Sequence, residues 1–414
     1  MALSSFSFVN QDSFGTDLIH SGNSQFKLAG KNADLQHAVE TIDTLARFEE
    51  IEDEWNDLFD RASKPKQVFQ TFNWHWHWCR HFLKENDASL RIIGVWSGER
   101  LVMIWPLIIV RTMGVRQLKW MGAPVSQYGD ILVDGRLGDS VLIEQVWSYI
   151  LQNVKVDLIA LEKVRGDSPI AALLKAHGAI ITECQEAPYL DLASAENYDL
   201  YEKRYSGRSR KNRRRHRRRL GELGEIKFKV VETGEEAGAL IQKTIDIKRD
   251  WLQAKNLVSR AYGDAAFDAF FNDVARSKNH PCGCMVAVIS SAGKPIAMDV
   301  GFHTGDNFVA HIGAYDLEYE RYSAGSLVTE DMLRDCFGRG ISQFDFLAPN
   351  ADYKKSWADG SVTVCDYDFP LDGRGYLYAK GINWFLRNSV KKILGSSPAF
   401  LRKIVRPIFS VAGF

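Results

Sequence analysis

Apolar side chains at Phe48, Ile51, Trp55, Leu58 and Phe59 recur every three or four residues, which predicts a helix over that stretch, and an aromatic run predicts a second from about Phe72 to Leu83. The period then changes. Arg91 to Trp96, the turn Ser97-Gly98 and Leu101 to Val110 have the pattern of a β-hairpin, followed by a stretch punctuated by Gly122 and Pro124. A helix over Asp139 to Gln152 and a buried strand over Val156 to Leu161 complete this half. The same order returns later: a hairpin from Met285 to Ile289 and Pro295 to Phe302, a strand from Phe308 to Ala314, a helix from about Ser326 to Arg339, and a strand from Phe344 to Leu347. Residues 1–40 show no sustained period and are expected to be a mobile leader.

The echo predicts two similar α/β units, 41–195 and 196–370, against the alternative of one large α/β domain with an accidental repeat. Length agrees, since 414 residues exceed what one core usually holds. A hydrophobic content of 45% with 25% charged residues excludes disordered and fibrous classes. The 52 basic residues cancel the 52 acidic ones, but they are segregated. Eleven Lys or Arg stand between Tyr201 and Arg219 against only Glu202, so a basic helix over 204–220 is expected at the start of the second unit. Eight more, with no acid, lie from Arg374 to Phe414, where the pattern predicts a basic amphipathic tail over 371–414. That tail fits peripheral contact with an anionic membrane, or a helix capping the second unit. Six cysteines without a C-x-x-C pair predict reduced, cytoplasmic usage with no disulfide frame.

Three stretches could carry chemistry. In Trp74-His75-Trp76-His77-Trp78, His77 and His81 would share a helix face, yet no third ligand joins them, so packing is expected and no metal. The basic run lacks aromatic residues for base stacking, so nucleic acid is not the expected partner; docking on acidic surface or cofactor phosphates is. The third is Tyr322-Ser323-Ala324-Gly325-Ser326, where a strand turns into a helix. A glycine there and the free N–H groups of a helix's first turn make an anion cradle suited to a pyrophosphate, although a Gly-Ser helix start can equally be only a cap.

The segment from His311 to Trp357 resembles the CelD/BcsL cellulose-biosynthesis acyltransferases, a branch of the GNAT N-acyltransferases related to the FemAB enzymes. Tyr315-Asp316, Tyr322-Ser323-Ala324-Gly325, Asp345-Phe346-Leu347, Tyr353-Lys354 and Trp357 carry the resemblance. Ala324 stands where that family has proline, and Ala348-Pro349-Asn350 where a glycine turn is common. The similarity, covering about residues 45–370, implies two tandem GNAT-like units with mixed, mostly antiparallel sheets. It also implies acyl-CoA, most simply acetyl-CoA, bound by Tyr322 to Ser326, with backbone N–H groups of about Ile312 to Ala314 facing the oxyanion. Asp316 would be the general base and Tyr353 the acid for the leaving thiolate; His311, Glu318 and Glu320 are lesser candidates for the base. Asp316 could instead cap a turn, and Tyr353 could merely pack on Trp357. The acceptor the resemblance implies is a small amine, on a sugar or other precursor of a surface polysaccharide; the rival readings are a FemAB-like transferase using aminoacyl-tRNA and a non-catalytic, membrane-peripheral subunit of a polysaccharide synthase.

Overall fold

The computed structural model describes residues 26–29, 36–62, 67–84, 86–134, 139–257, 259, 261–277 and 283–383. The chain opens with strands β1 (Phe26–Ala29) and β2 (Gln36–Ile42), helices α1 (Leu45–Glu50), α2 (Glu52–Ala62) and α3 (Phe72–Trp78), and strands β3 (Ser89–Leu90), β4 (Ile92–Ser97), β5 (Arg100–Trp105), β6 (Leu107–Thr112), β7 (Val115–Trp120) and β8 (Leu132–Val133). Helix α4 (Asp139–Asn153), strand β9 (Leu158–Arg165), helix α5 (Pro169–Ala176) and the long strand β10 (Ile180–Asp191) end the first half. The second half runs α6 (Tyr198–Tyr201), α7 (Gly207–Gly221), β11 (Ile226–Glu232), α8 (Glu235–Ala254), α9 (Ala265–Arg276), β12 (Gly283–Ser291), β13 (Lys294–Thr304), β14 (Asn307–Tyr315), α10 (Ala324–Gly338), β15 (Gln343–Asp345), α11 (Asp352–Lys355), β16 (Gly360–Pro370) and α12 (Gly373–Leu377). Among the described residues no helix is long and apolar enough to cross a membrane.

Two sheets result. One has five strands in the order β1-β2-β4-β5-β8; the other has eleven, β11-β12-β13-β14-β15-β10-β16-β9-β7-β6-β3, mostly antiparallel with β14-β15 and β7-β9 parallel. The large sheet runs through both halves because two strands change places. β10, from the first half, pairs with β15 and β16 of the second, while β16 pairs in turn with β9 of the first. Each half's sheet is therefore completed by a strand of the other.

Helices α2 and α3 follow the predicted apolar spacing and bury Trp55, Leu58, Phe59, Trp74 and Trp78 in one core with Phe270 and Phe271 of α9. The end of the predicted aromatic helix is a π-turn over Cys79–Leu83. Several expectations need correction. Residues 26–29 and 36–42, read as leader, pair as β1 and β2, and β2 pairs on with β4; a two-strand segment without strong alternation gains its partner only in three dimensions. The stretch Leu101 to Val110 is two strands in different sheets, separated by Pro106, whose missing N–H cannot continue a ladder. Cys184 and Cys365, expected to be thiols, face each other across the β10–β16 pair and form a disulfide, 181 residues apart in sequence. Of the expected amphipathic tail only α12 and the π-turn Tyr378–Asn383 are described, and the rest lies outside the described residues.

Candidate active site

Strand β15 stays beside β14 for three residues only, pairing Asn307, Phe308 and Val309 with Gln343, Phe344 and Asp345. Beyond that point β14 continues to Tyr315 while the other chain turns away through Phe346 to Pro349. Between them opens a cavity of about 260 Å³, lined by Ala310, His311 and Gly313 of β14, Phe346 to Pro349, Asp299, Thr329, Tyr353 and Lys354, and by Gln127 from the first half. The free edge of β14 offers backbone N–H groups to whatever occupies the split.

Asp299, on β13 opposite Gly313, is the carboxylate of this cavity. Burial pushes its pKa up to about 6; the Thr329 hydroxyl, donating at 2.9 Å, and the Lys248 ammonium oppose the rise. Lys248 itself donates to the Gly313 carbonyl at 3.2 Å. His311 is held differently. Its Nε2–H donates to the Val125 carbonyl at 2.8 Å, its ring lies among Phe69, Trp74, Phe271 and Phe302, and burial brings its pKa down to about 4. Near neutral pH it is uncharged and a weaker base than Asp299. Lys354 donates to the Leu347 carbonyl at 2.9 Å, and burial lowers its pKa to about 8.

Tyr353 stands at the cavity mouth with 60% of its surface exposed. The protein around its hydroxyl and then the nearby Asp299 charge hold the phenol above its usual range, so it is protonated at neutral pH. It does not pack on Trp357, whose ring partner is Tyr205 at 5.2 Å.

A second, smaller cavity of about 170 Å³ lies at the start of α10, lined by Ser323, Ser326 and Leu327 on one side and by Ser209, Asn212, Arg213 and His216 of α7 on the other. Ser323 adopts a left-handed conformation (φ 55°) and no side chain caps α10; the Ser326 and Leu327 N–H groups donate back to the Ser323 carbonyl, which leaves those of Ala324 and Gly325 at the start of a 15-residue helix that borders this basic-walled space. Helix α7 is fixed there by two acids of α10 and by Glu202. Arg213 donates to Glu330 at 3.1 Å, Arg217 to Asp331 at 2.6 Å, and Arg214 to Glu202 at 2.9 Å. Arg208, Lys211, Arg215 and Arg218 are exposed along the opposite side.

The structure brings Tyr353 and the turn Tyr322 to Ser326 to these two cavities, but not Asp316. That carboxylate accepts from Glu318 N–H at 3.0 Å as a turn cap and pairs with Lys294 at 2.8 Å. Partial burial works against its charge, but these two partners prevail and lower its pKa, the opposite of what a base needs. On β14 the side chains of Ile312 and Ala314 are buried, and the residues at the split are Ala310, His311 and Gly313. Ala324 is fully buried, so only its backbone can meet a ligand, and a Cβ on Gly325 would come 3.0 Å from the Tyr315 ring. Sequence reasoning missed Asp299 and Gln127. Asp299 interrupts the apolar run Ile296-Ala297-Met298-Asp299-Val300, and an acid inside an otherwise apolar strand was the available signal.

Residues 207–355 match the acetyltransferase (GNAT) domain family. Among solved structures, the chain resembles FemX, with 10% identity over 79% of this chain and 97% of that one and a TM-score of 0.53. It also resembles the C-terminal domain of a protein from Agrobacterium fabrum named as a lysylphosphatidylglycerol synthetase, with 12% identity over 83% and 96% and a TM-score of 0.50. A tandem GNAT protein from the clavulanic acid biosynthesis pathway aligns with 12% identity over 81% and 99% and a TM-score of 0.46. No curated protein matches the chain in sequence. The fold is α/β with mixed, mostly antiparallel sheets like that of FemX, and residues 207–355 are an acetyltransferase (GNAT) domain, which supports an acyltransferase.

Proposed function

We propose that the protein is an acyl-CoA-dependent N-acyltransferase that moves an acetyl group to a small amine. The observation that carries this reading is a half-buried carboxylate, Asp299, with its pKa near 6, set in the split between β14 and β15 beside a protonated tyrosine. The uncapped start of α10, faced by Arg213 and His216, suits the pyrophosphate of CoA. From there the pantetheine arm would run to the split.

An alkylammonium has a pKa of about 10 and no free lone pair, so it must lose a proton to attack the thioester. The ammonium gives that first proton to water as the free amine enters the site, and Asp299 accepts the second proton from the nitrogen as the C–N bond forms and the nitrogen becomes more acidic. Backbone N–H groups on the open edge of β14 near Gly313 receive the developing oxyanion. When the C–S bond breaks, Tyr353 gives its proton to the thiolate, whose conjugate acid has a pKa of about 8.5, and recovers one from solvent at the cavity mouth.

The CelD/BcsL resemblance supports an amino precursor of a surface polysaccharide as acceptor, and the charge of the tail supports contact with an anionic membrane. The rival reading, transfer from aminoacyl-tRNA, draws on the exposed cations Arg208, Lys211, Arg215 and Arg218. Against it, Arg213 and Arg217 are engaged by Glu330 and Asp331. Calorimetric titration separates the two. CoA should bind the parent, and Gly325→Val, whose side chain crowds the α10 turn, should lose at least tenfold in affinity; tight tRNA binding with no CoA binding would replace this reading by its rival.

A further inference from the structure

The cavity wall contributed by the first half is the loop between β7 and β8, and side chains fasten it on every side. Trp78 Nε1 donates to the Ala123 carbonyl at 2.7 Å, His311 to the Val125 carbonyl at 2.8 Å, Trp74 Nε1 to the Ser126 hydroxyl at 2.9 Å, and Gln70 Nε2 to the Tyr128 carbonyl at 3.1 Å. The Tyr128 hydroxyl donates to Asp345 at 2.9 Å. This is the use the fold makes of the aromatic helix α3: its indoles are donors that lock a loop, with their rings in the core.

Within this loop Gln127 is the residue whose side chain reaches the cavity. Lys163 fixes which end of its amide does so. The ammonium donates to the Ser126 carbonyl at 2.8 Å and to Gln127 Oε1 at 3.1 Å. A lysine only donates, so the carbonyl end of the amide must face it and the NH₂ end must face away. That NH₂ has no protein partner among the described residues, and its two N–H groups are set for a ligand. At about 30 Å³ per water the cavity of about 260 Å³ has room for a small head group, and Gln127 and Asp299 both line it.

Resting on the acyltransferase reading, we infer that Gln127 selects the acceptor: it donates to an oxygen of the bound amine, so the substrate class is a small amine that also carries a hydroxyl or carboxylate. An alkylamine of equal size leaves the Gln127 N–H groups unpaired in a confined site and is discriminated against. Gln127 touches no reacting atom, so its loss raises the acceptor KM and leaves kcat and the acyl-CoA KM nearly unchanged. The buried position of Lys163 makes it the positioning residue, since without its N–H the amide is free to turn over.

The test measures CoA release from acetyl-CoA with ethanolamine, glycine, glucosamine and propylamine as acceptors. In the parent, at least one oxygen-bearing amine should exceed propylamine about tenfold in kcat/KM, ethanolamine and glucosamine reporting the hydroxyl arm and glycine the carboxylate arm. In Gln127→Leu that preference should collapse through KM, and Lys163→Met should weaken it in the same direction. Equal use of propylamine by the parent, or a preference that survives Gln127→Leu, overturns the inference while acyl transfer stands. Absence of turnover with all four amines overturns it too, and calorimetric binding of CoA then shows whether the transferase reading falls with it.

Discussion

A carboxylate that must be ionised to work and is costly to ionise makes two opposite predictions at one residue. Asp299 carries its proton up to about pH 6 in the folded protein and only to about 3.8 in the unfolded chain. Between those values the native state binds more protons, so this group's contribution favours folding at low pH and is lost as pH rises through 6. Asp299→Asn should therefore be more stable than the parent above pH 6, by up to about 3 kcal/mol, as urea unfolding would register. Its kcat should fall about 10²-fold or more, and the rise of kcat/KM through pH 6 expected of the parent should be absent. An active Asn variant removes the base assignment. Tyr353→Phe tests the other end of the reaction: with the ring exposed and Trp357 packed on Tyr205, melting should hardly change while turnover drops about 10²-fold. Asp316→Asn, by contrast, should leave kcat intact, because its carboxylate serves Lys294 and a turn.

Helix α7 shows two faces of one basic sequence. Its inner cations are structural: Arg213 is buried against Glu330 and lies over Trp357, at 4.8 Å from the ring centroid. Arg213→Gln removes one charged partner of the buried Glu330 while Arg217 and Tyr198 remain on it, and should cost about 2 kcal/mol in denaturant unfolding. The outer set, Arg208, Lys211, Arg215 and Arg218, replaced together by Gln, should unfold within about 0.5 kcal/mol of the parent. If an RNA-dependent activity disappears with that quadruple change, the helix has a role beyond holding α10. The basic run was visible in sequence as charge. Which arginines face acids was not, because Glu330 and Asp331 lie more than a hundred residues away on a helix whose rotation only packing fixes.

Across the whole molecule, the exchange of β10 and β16 ties the halves together. Residues 196–383 produced alone would lack β10, leaving β15 and β16 with open ladder edges, and should be insoluble; co-production with residues 26–195 should restore soluble protein. A soluble, folded isolated second half would contradict the exchange. The same junction holds the disulfide. Peptide mapping without reductant should recover Cys184 linked to Cys365, and Cys184→Ser should lower stability by about 2–4 kcal/mol, the range typical of a native disulfide.

Sequence by itself determined what local physics encodes. Apolar periodicity set the helices α2, α3, α4 and α10 and the β12–β13 hairpin, and the repeated order of elements announced two related units. The turn at Tyr322 to Ser326 and the tyrosine at 353 were named through a family resemblance carried by one short stretch of chain, and Ser323, Ser326 and Tyr353 line cavities in the folded protein. Tertiary structure alone decided the rest, since each remaining feature depends on groups far apart in sequence. Pro106 divides one apparent strand between two sheets, and Gln36–Ile42 becomes a strand only beside β4. Cys184 meets Cys365 because β10 crosses into the other half. Asp316 and Asp299 are both single acids near β-strand ends or centres, and composition cannot rank them; burial beside Thr329 raises one carboxyl, while an exposed lysine and a turn N–H lower the other. Desolvation is a property of the surrounding volume, and that volume exists only after the chain has folded.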